Sequence, residues 1–182
     1  MTASTTKSTS TTKSPARRAA PRRPDALRLL MQDHQDVKAL FKAYDKLAKA
    51  EADASHRKSA AEQICTLLSA HATVEEELFY PAARSVLEQD DLIDEAEVEH
   101  ASAKDLIAQI RGMSPSDDLF DAKVKVLGEY IDHHVKEEEK QIFPKVRKGE
   151  LDLKSLGESL AARKQELLAE ASREAGSTQA RH

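Results

Sequence analysis

Cysteine appears once in the 182 residues, as Cys65, which excludes an internal disulfide and a cysteine-rich zinc site. Tryptophan does not occur, aromatic residues make up 4% of the chain and there are five glycines, a composition that favours a helical protein. No apolar run approaches the roughly 20 residues that a membrane helix needs, and no signal-peptide core is present. The expectation is a cytoplasmic protein without a membrane partner. No glycine-rich phosphate loop and no His-Glu-x-x-His protease motif occurs. Nor does any stretch alternate with period two for long enough to make a strand.

Charge is plentiful, at 33% of residues, but unevenly spread. Residues 1–24 carry Lys7, Lys13, Arg17, Arg18, Arg22 and Arg23 and no acid, so the net −4 of the chain leaves −10 on the remainder. This segment is rich in Ser, Thr and Pro and holds only small apolar residues after Met1, too little to bury a core, which predicts a disordered basic tail. On charge grounds alone a nucleic-acid-binding arm is conceivable there, although the composition favours a plain tail.

Beyond residue 24 the apolar residues recur with a helical rhythm. Asp25 is placed to cap a first helix whose face is Leu27, Leu30, Met31, Val37, Leu40, Phe41 and Tyr44. A second starts near Asp53 or Ser55 and is expected to break or kink at Pro81, with a short helical piece over 82–88. The third carries Ile93, Ala96, Ala103, Ile107 and Ile110 and stops in Gly112-Met-Ser-Pro115. Ser116 is expected to cap a fourth, ending before Pro144, and a fifth runs from Asp152 to about Arg173. The fold class is therefore all-α: an antiparallel up-down four-helix bundle over 25–147, an additional C-terminal helix over 148–174 packed on it, and a disordered tail over 175–182.

Within that bundle one pattern repeats. His71-Ala-Thr-Val-Glu75-Glu-Glu-Leu-Phe-Tyr-Pro81 returns 63 residues later as His134-Val-Lys-Glu-Glu138-Glu-Lys-Gln-Ile-Phe-Pro144. Each copy has Glu at +4 and +5 from the histidine, an aromatic at +9 and proline at +10. A His and a Glu four apart share one helical face, where they can hold one metal ion or help bridge two. His34 and His100 also repeat, as Asp33-His34 and Glu99-His100. All four histidines sit on the apolar stripe of a different helix. A single buried histidine is commonly a satisfied core residue, but four histidines and two carboxylates converging in one core need a cation to offset their burial.

The candidate metal ligands are thus His34, His71, Glu75, His100, His134 and Glu138. Glu76 and Glu139, at +5, are alternatives to their neighbours, and Glu97 is a further candidate. His133 shares its face with Glu137, Lys140 and Gln141 and is expected at the surface. Cys65 reads as a small core residue, and His56 and His182 as unremarkable.

This ordered set resembles the hemerythrin-like, HHE cation-binding domain family over about residues 25–147. The resemblance implies a four-helix bundle holding two iron ions, a non-haem di-iron centre with carboxylate and oxo or hydroxo bridges, which in some members binds dioxygen reversibly. Manganese or zinc would also suit such ligands. The chain departs from the oxygen carriers at Lys104, where they have a histidine, and at Glu138, four residues after its histidine where they have an Asp at five. One iron is left a ligand short, a place for water, Glu97 or Glu99, which argues against reversible oxygen carriage.

The function expected is a metal- and oxygen-binding protein for sensing, storage or stress protection, with dioxygen or another small diatomic molecule as its partner. The alternative is an enzyme reducing peroxide or nitric oxide. A ferroxidase of the ferritin type would need two Glu-x-x-His motifs, and the chain has one, Glu97-Val-Glu-His100.

Overall fold

The computed structural model describes residues 25–87 and 91–179, and the expected tail over 1–24 lies outside them. Every regular element among the described residues is a helix. Helix α1 (Ala26–Lys49) begins at Asp25, whose carboxylate accepts the Arg28 amide at 2.9 Å, as the capping residue type predicts. Helix α2 (Ala54–Val74) passes through a π-turn (Glu75–Phe79) into α3 (Tyr80–Arg84). Helix α4 (Asp91–Gly112) is followed by α5 (Phe120–Glu137), a second π-turn (Glu138–Ile142) and α6 (Phe143–Lys148). The last, α7 (Leu153–Gln179), runs five residues past the expected end at 174.

Helices α1, α2, α4 and α5 pack in a ring, each against its two neighbours, and α7 lies outside against α1, α2 and the first π-turn. This is the expected bundle with its extra helix. Two apolar cores fill it. One, around Ile64, Leu68, Ile107, Phe120 and Leu127, lies toward the α1–α2 and α4–α5 connections. The other, around Leu27, Leu30, Phe79, Ile93 and Phe143, lies at the opposite end and includes Leu160 of α7. All four stripe histidines fall between the two.

The prolines do not end their helices. Pro81 and Pro144 have no N–H to give the carbonyl four residues back, and their rings crowd it. The chain answers with one widened turn before each proline: the Tyr80 amide reaches the Glu75 carbonyl and the Phe143 amide reaches that of Glu138, a five-residue step. The chain stays helical through both prolines, so the break expected as one outcome at Pro81 and the end expected before Pro144 do not form. The fourth helix also starts later than expected. Ser114, Ser116 and Asp117 bond among themselves in a turn, and α5 begins at Phe120 without a side-chain cap.

Cys65 is buried beside Ile64 and Leu68, and burial pushes its thiol up to about 11. A thiol is reactive only as thiolate. The folded protein is therefore expected to resist alkylation at pH 8, where the thiolate is on the order of one part in a thousand, and to be labelled promptly once unfolded. Mass spectrometry of the iodoacetamide-treated chain checks this, and rapid native labelling would mean that this core opens.

Candidate metal centre

The polar layer is built by one residue position per helix. His34 from α1, His71 from α2, His100 from α4 and His134 from α5 are each 5% exposed or less, and Glu75 and Glu138, the first residues of the two π-turns, are fully buried. Placing each glutamate one turn after its histidine brings both side chains to the same level of the bundle.

Every histidine is held from behind by a carboxylate of another element. Glu139 meets His34 Nδ1 at 2.9 Å, Glu76 meets His100 Nδ1 at 3.0 Å and Glu99 meets His134 Nδ1 at 2.8 Å. Asp33 meets His71 Nδ1 at 3.5 Å. A carboxylate accepts, so Nδ1 carries the hydrogen, and a neutral ring then turns a bare Nε2 lone pair inward. Burial pulls His71 down to about 4 and also lowers His100, which keeps these rings neutral at ordinary pH. For His134 burial works the same way, but the bond to Glu99 and the nearby charge of Glu138 outweigh it and raise the ring.

The inward atoms crowd together. His71 Nε2 is 3.1 Å and His100 Nε2 3.4 Å from the same Glu75 oxygen. His34 Nε2 is 3.2 Å and His134 Nε2 3.7 Å from one oxygen of Glu138. Two ligand sets result: His34, His71, Glu75 and Glu138, and Glu75, His100 and His134. Glu75 belongs to both, as a bridging carboxylate would.

Five of these atoms (the Nε2 of His34 and His71, both Glu75 oxygens and one of Glu138) have no hydrogen-bond partner. At roughly 1–3 kcal/mol each, that is on the order of 10 kcal/mol, as large as the whole net stability of a domain. Without a cation the pair of glutamates cannot both stay charged. Burial and the neighbouring Glu138 charge raise Glu75 well above the usual carboxylate range, while Glu138, beside the histidine rings, keeps its charge. The donor set fits a divalent transition metal in both positions.

All six sequence-predicted residues come together. The alternatives do not join them: Glu76 and Glu139 bind the outer nitrogens of histidines, Glu99 does the same, and Glu97 turns to Arg84 at 3.2 Å. Lys104, in the place of the carriers' fifth histidine, points to Glu76 at 2.5 Å. His133 is exposed, as expected.

Three participants escaped the sequence analysis. Tyr80 is fully buried, its hydroxyl donating to Glu138 at 3.1 Å and lying 3.3 Å from His100 Nε2. In a regular helix a residue nine past His71 is about half a turn away, but the wider π-turn brings it back to the inner face. Asp33 was noted only as part of the repeat, and its partner Lys164 of α7, at 2.5 Å, lies 131 residues away with no local signal.

Fold and site together define a metal-binding helical bundle with a histidine–carboxylate cage. The chain belongs to the hemerythrin HHE cation-binding domain family, whose sequence profile matches residues 25–146. A crystal structure of a hemerythrin HHE cation-binding domain-containing protein from Mycobacterium kansasii has the same fold, with a TM-score of 0.68 at 23% identity over 82% of this chain and 91% of that one. A DNA nickase of Nostoc sp. is 38% identical over 85 residues, 47% of this chain but 24% of the nickase. This chain thus spans about a quarter of that relative's length. No helix among the described residues is long and apolar enough to cross a membrane.

Substitutions separate the inner residues from the outer ones. Glu75→Ala removes the shared carboxylate and is expected to abolish metal retention. Glu139→Gln only weakens the hold on His34, an expected loss of roughly 10–100-fold in affinity. Metal analysis of the purified variants checks both, and equal losses would make Glu139 a ligand in its own right. Lys164→Met leaves Asp33 buried without its cation, for an expected destabilisation of about 1–3 kcal/mol in urea. Lys164→Arg is expected to recover most of it.

Proposed function

We propose that this chain is a non-haem di-iron protein that binds dioxygen or a related small diatomic ligand, in the service of sensing, storage or stress protection in the cytoplasm. The observation that carries this is the set of facing, unpartnered nitrogen and oxygen atoms between the two apolar cores. His34, His71, Glu75 and Glu138 would hold one ion, and His100 and His134, sharing Glu75, the second. Bound iron would supply Lewis acidity and one-electron redox chemistry to a ligand at an open position. Manganese and zinc fit the same donors, so metal supply decides among them.

The surroundings support this choice of ligand. A cavity of about 20 Å³, room for about one water-sized molecule, adjoins the four histidines on the side of the Ile107 core. Val37, Leu68, Ala103, Ile107, Ile131 and Val135 make up most of its remaining wall, with Asp33 and Lys104 at its edge. An apolar lining favours an uncharged diatomic molecule over a polar one. It therefore favours ligand binding over turnover of peroxide, the alternative that rests on the same open position. Tyr80 stands beside the second ligand set, which has fewer protein ligands; its hydroxyl lies 3.3 Å from His100 Nε2 and gives its one hydrogen to Glu138. The nickase activity of the Nostoc protein is not carried over, because so little of that protein is matched.

Reconstitution with ferrous iron without oxygen is expected to give two ions per chain by metal analysis. The unfolding midpoint should rise with loading, by about 4 kcal/mol of stability at a thousandfold excess over Kd. A reproducible stoichiometry of one or less, or equal midpoints with and without metal, would overturn the two-metal proposal. With Lys104 turned away to Glu76, oxygen is expected to oxidise the reduced protein without a long-lived adduct. Recovery of the reduced spectrum on argon purging would instead show reversible carriage.

A further inference from the structure

The two helical hairpins repeat their outer carboxylates as well as their ligands. Asp33, one residue before His34, backs His71, and Glu99, one residue before His100, backs His134. In each case one carboxylate oxygen faces the histidine and the other faces outward. The outward oxygen of Asp33 is occupied by a cation, the Lys164 ammonium of α7. Helix α7 packs on α1 and α2, and among the described residues no lysine pairs with Glu99 in this way.

At the corresponding outward oxygen of Glu99 the structure instead presents His133, with Nε2 3.6 Å away, and Glu137, whose carboxylate is also 3.6 Å from that Nε2. These three ligand atoms lie within 4.8 Å of one another. At 3.6 Å the contacts are too long for hydrogen bonds. They are close to the roughly 3.0–3.4 Å that separates two donor atoms sharing one ion at about 2.1 Å. His133 and Glu137 are four apart on α5 and so share a face, and Glu99 comes from the neighbouring helix α4. The His134 bond already fixes Glu99 in place, so less side-chain freedom is lost on binding.

We propose that Glu99, His133 and Glu137 form a third cation site, at the surface, for a divalent transition-metal ion. One imidazole nitrogen and two carboxylate oxygens are the donors, and water completes the shell. The imidazole selects zinc or ferrous iron over magnesium and calcium, which take oxygen ligands. Glu99 joins this site to the buried centre, because its other oxygen holds His134. The ion fills the place that Lys164 fills in the first hairpin.

Calorimetric titration of the full chain with zinc, after the buried centre has been loaded, tests this against His133→Ala and Glu137→Gln. His133 is 62% exposed in its side chain, so its truncation leaves the core untouched, which circular dichroism verifies. Wild type is expected to take up one zinc per chain more than His133→Ala. Glu137→Gln should bind that ion at least tenfold more weakly, since losing a direct ligand weighs no less than the roughly 10–100-fold of an outer-shell partner. His56 and His182 are present in all three proteins, so zinc bound there cancels in the comparison. Equal stoichiometry and Kd in the three proteins would overturn the proposal. A buried centre that fails to load changes the total count but leaves this difference intact, so the two proposals fail separately.

Discussion

Mutual repulsion inside the bundle is the constraint on which the rest of this structure depends. Two glutamates and four inward-facing imidazole nitrogens meet in a layer a few ångströms thick, with few hydrogens to share among them. Apolar cores close the layer on both sides. Positive charge between its atoms would relieve the layer, so metal binding is expected to be coupled to stability. The outer carboxylates add to this demand: by holding the Nδ1 hydrogens, they aim the Nε2 of each ring at the interior.

The backbone is shaped by the same site. Each proline comes ten residues after its histidine and cannot be accommodated in a regular α-helix. The π-turns that absorb them begin at the two buried glutamates, Glu75 and Glu138. Widening the turn there carries Tyr80 into contact with Glu138 and His100, and its repeat partner Phe143 against the His34 ring, stacked at 5.8 Å. A local backbone defect thus delivers two aromatic side chains to the wall of the site. The same defect keeps the helices running past the prolines, which is why the shape of the bundle survives them.

Much of this was legible from spacing. Periodicity places His34, His71, His100 and His134 on buried stripes, and Glu75 and Glu138 one turn from their histidines share those stripes. The roles of Glu76 and Glu139 were not legible. Positions +4 and +5 both lie on the broad inner face, and only three-dimensional packing shows that the second of each pair reaches across to the outer nitrogen of a histidine on another helix. Tyr80 was hidden because helical arithmetic assumes a uniform turn. Lys164 was hidden because a pair formed across 131 residues leaves no trace in local pattern. The late start of α5 has a similar origin, since the Ser114–Asp117 turn competes for the side chains that would otherwise cap a helix.

Helix α7 breaks a symmetry that the sequence repeat otherwise imposes. His34 with Glu139 corresponds to His100 with Glu76, and His71 with Asp33 to His134 with Glu99. By covering only the first hairpin, α7 buries Asp33 and supplies it with a lysine, whereas Glu99 stays partly open. The two halves of the centre are therefore backed differently. Asp33 divides its charge between an ammonium and His71 and stands off at 3.5 Å, while Glu99 approaches His134 at 2.8 Å. A closer anionic partner makes the imidazole a stronger donor. His134 is thus the more electron-rich of the two rings, and the two groups of candidate ligands differ chemically because of where α7 packs.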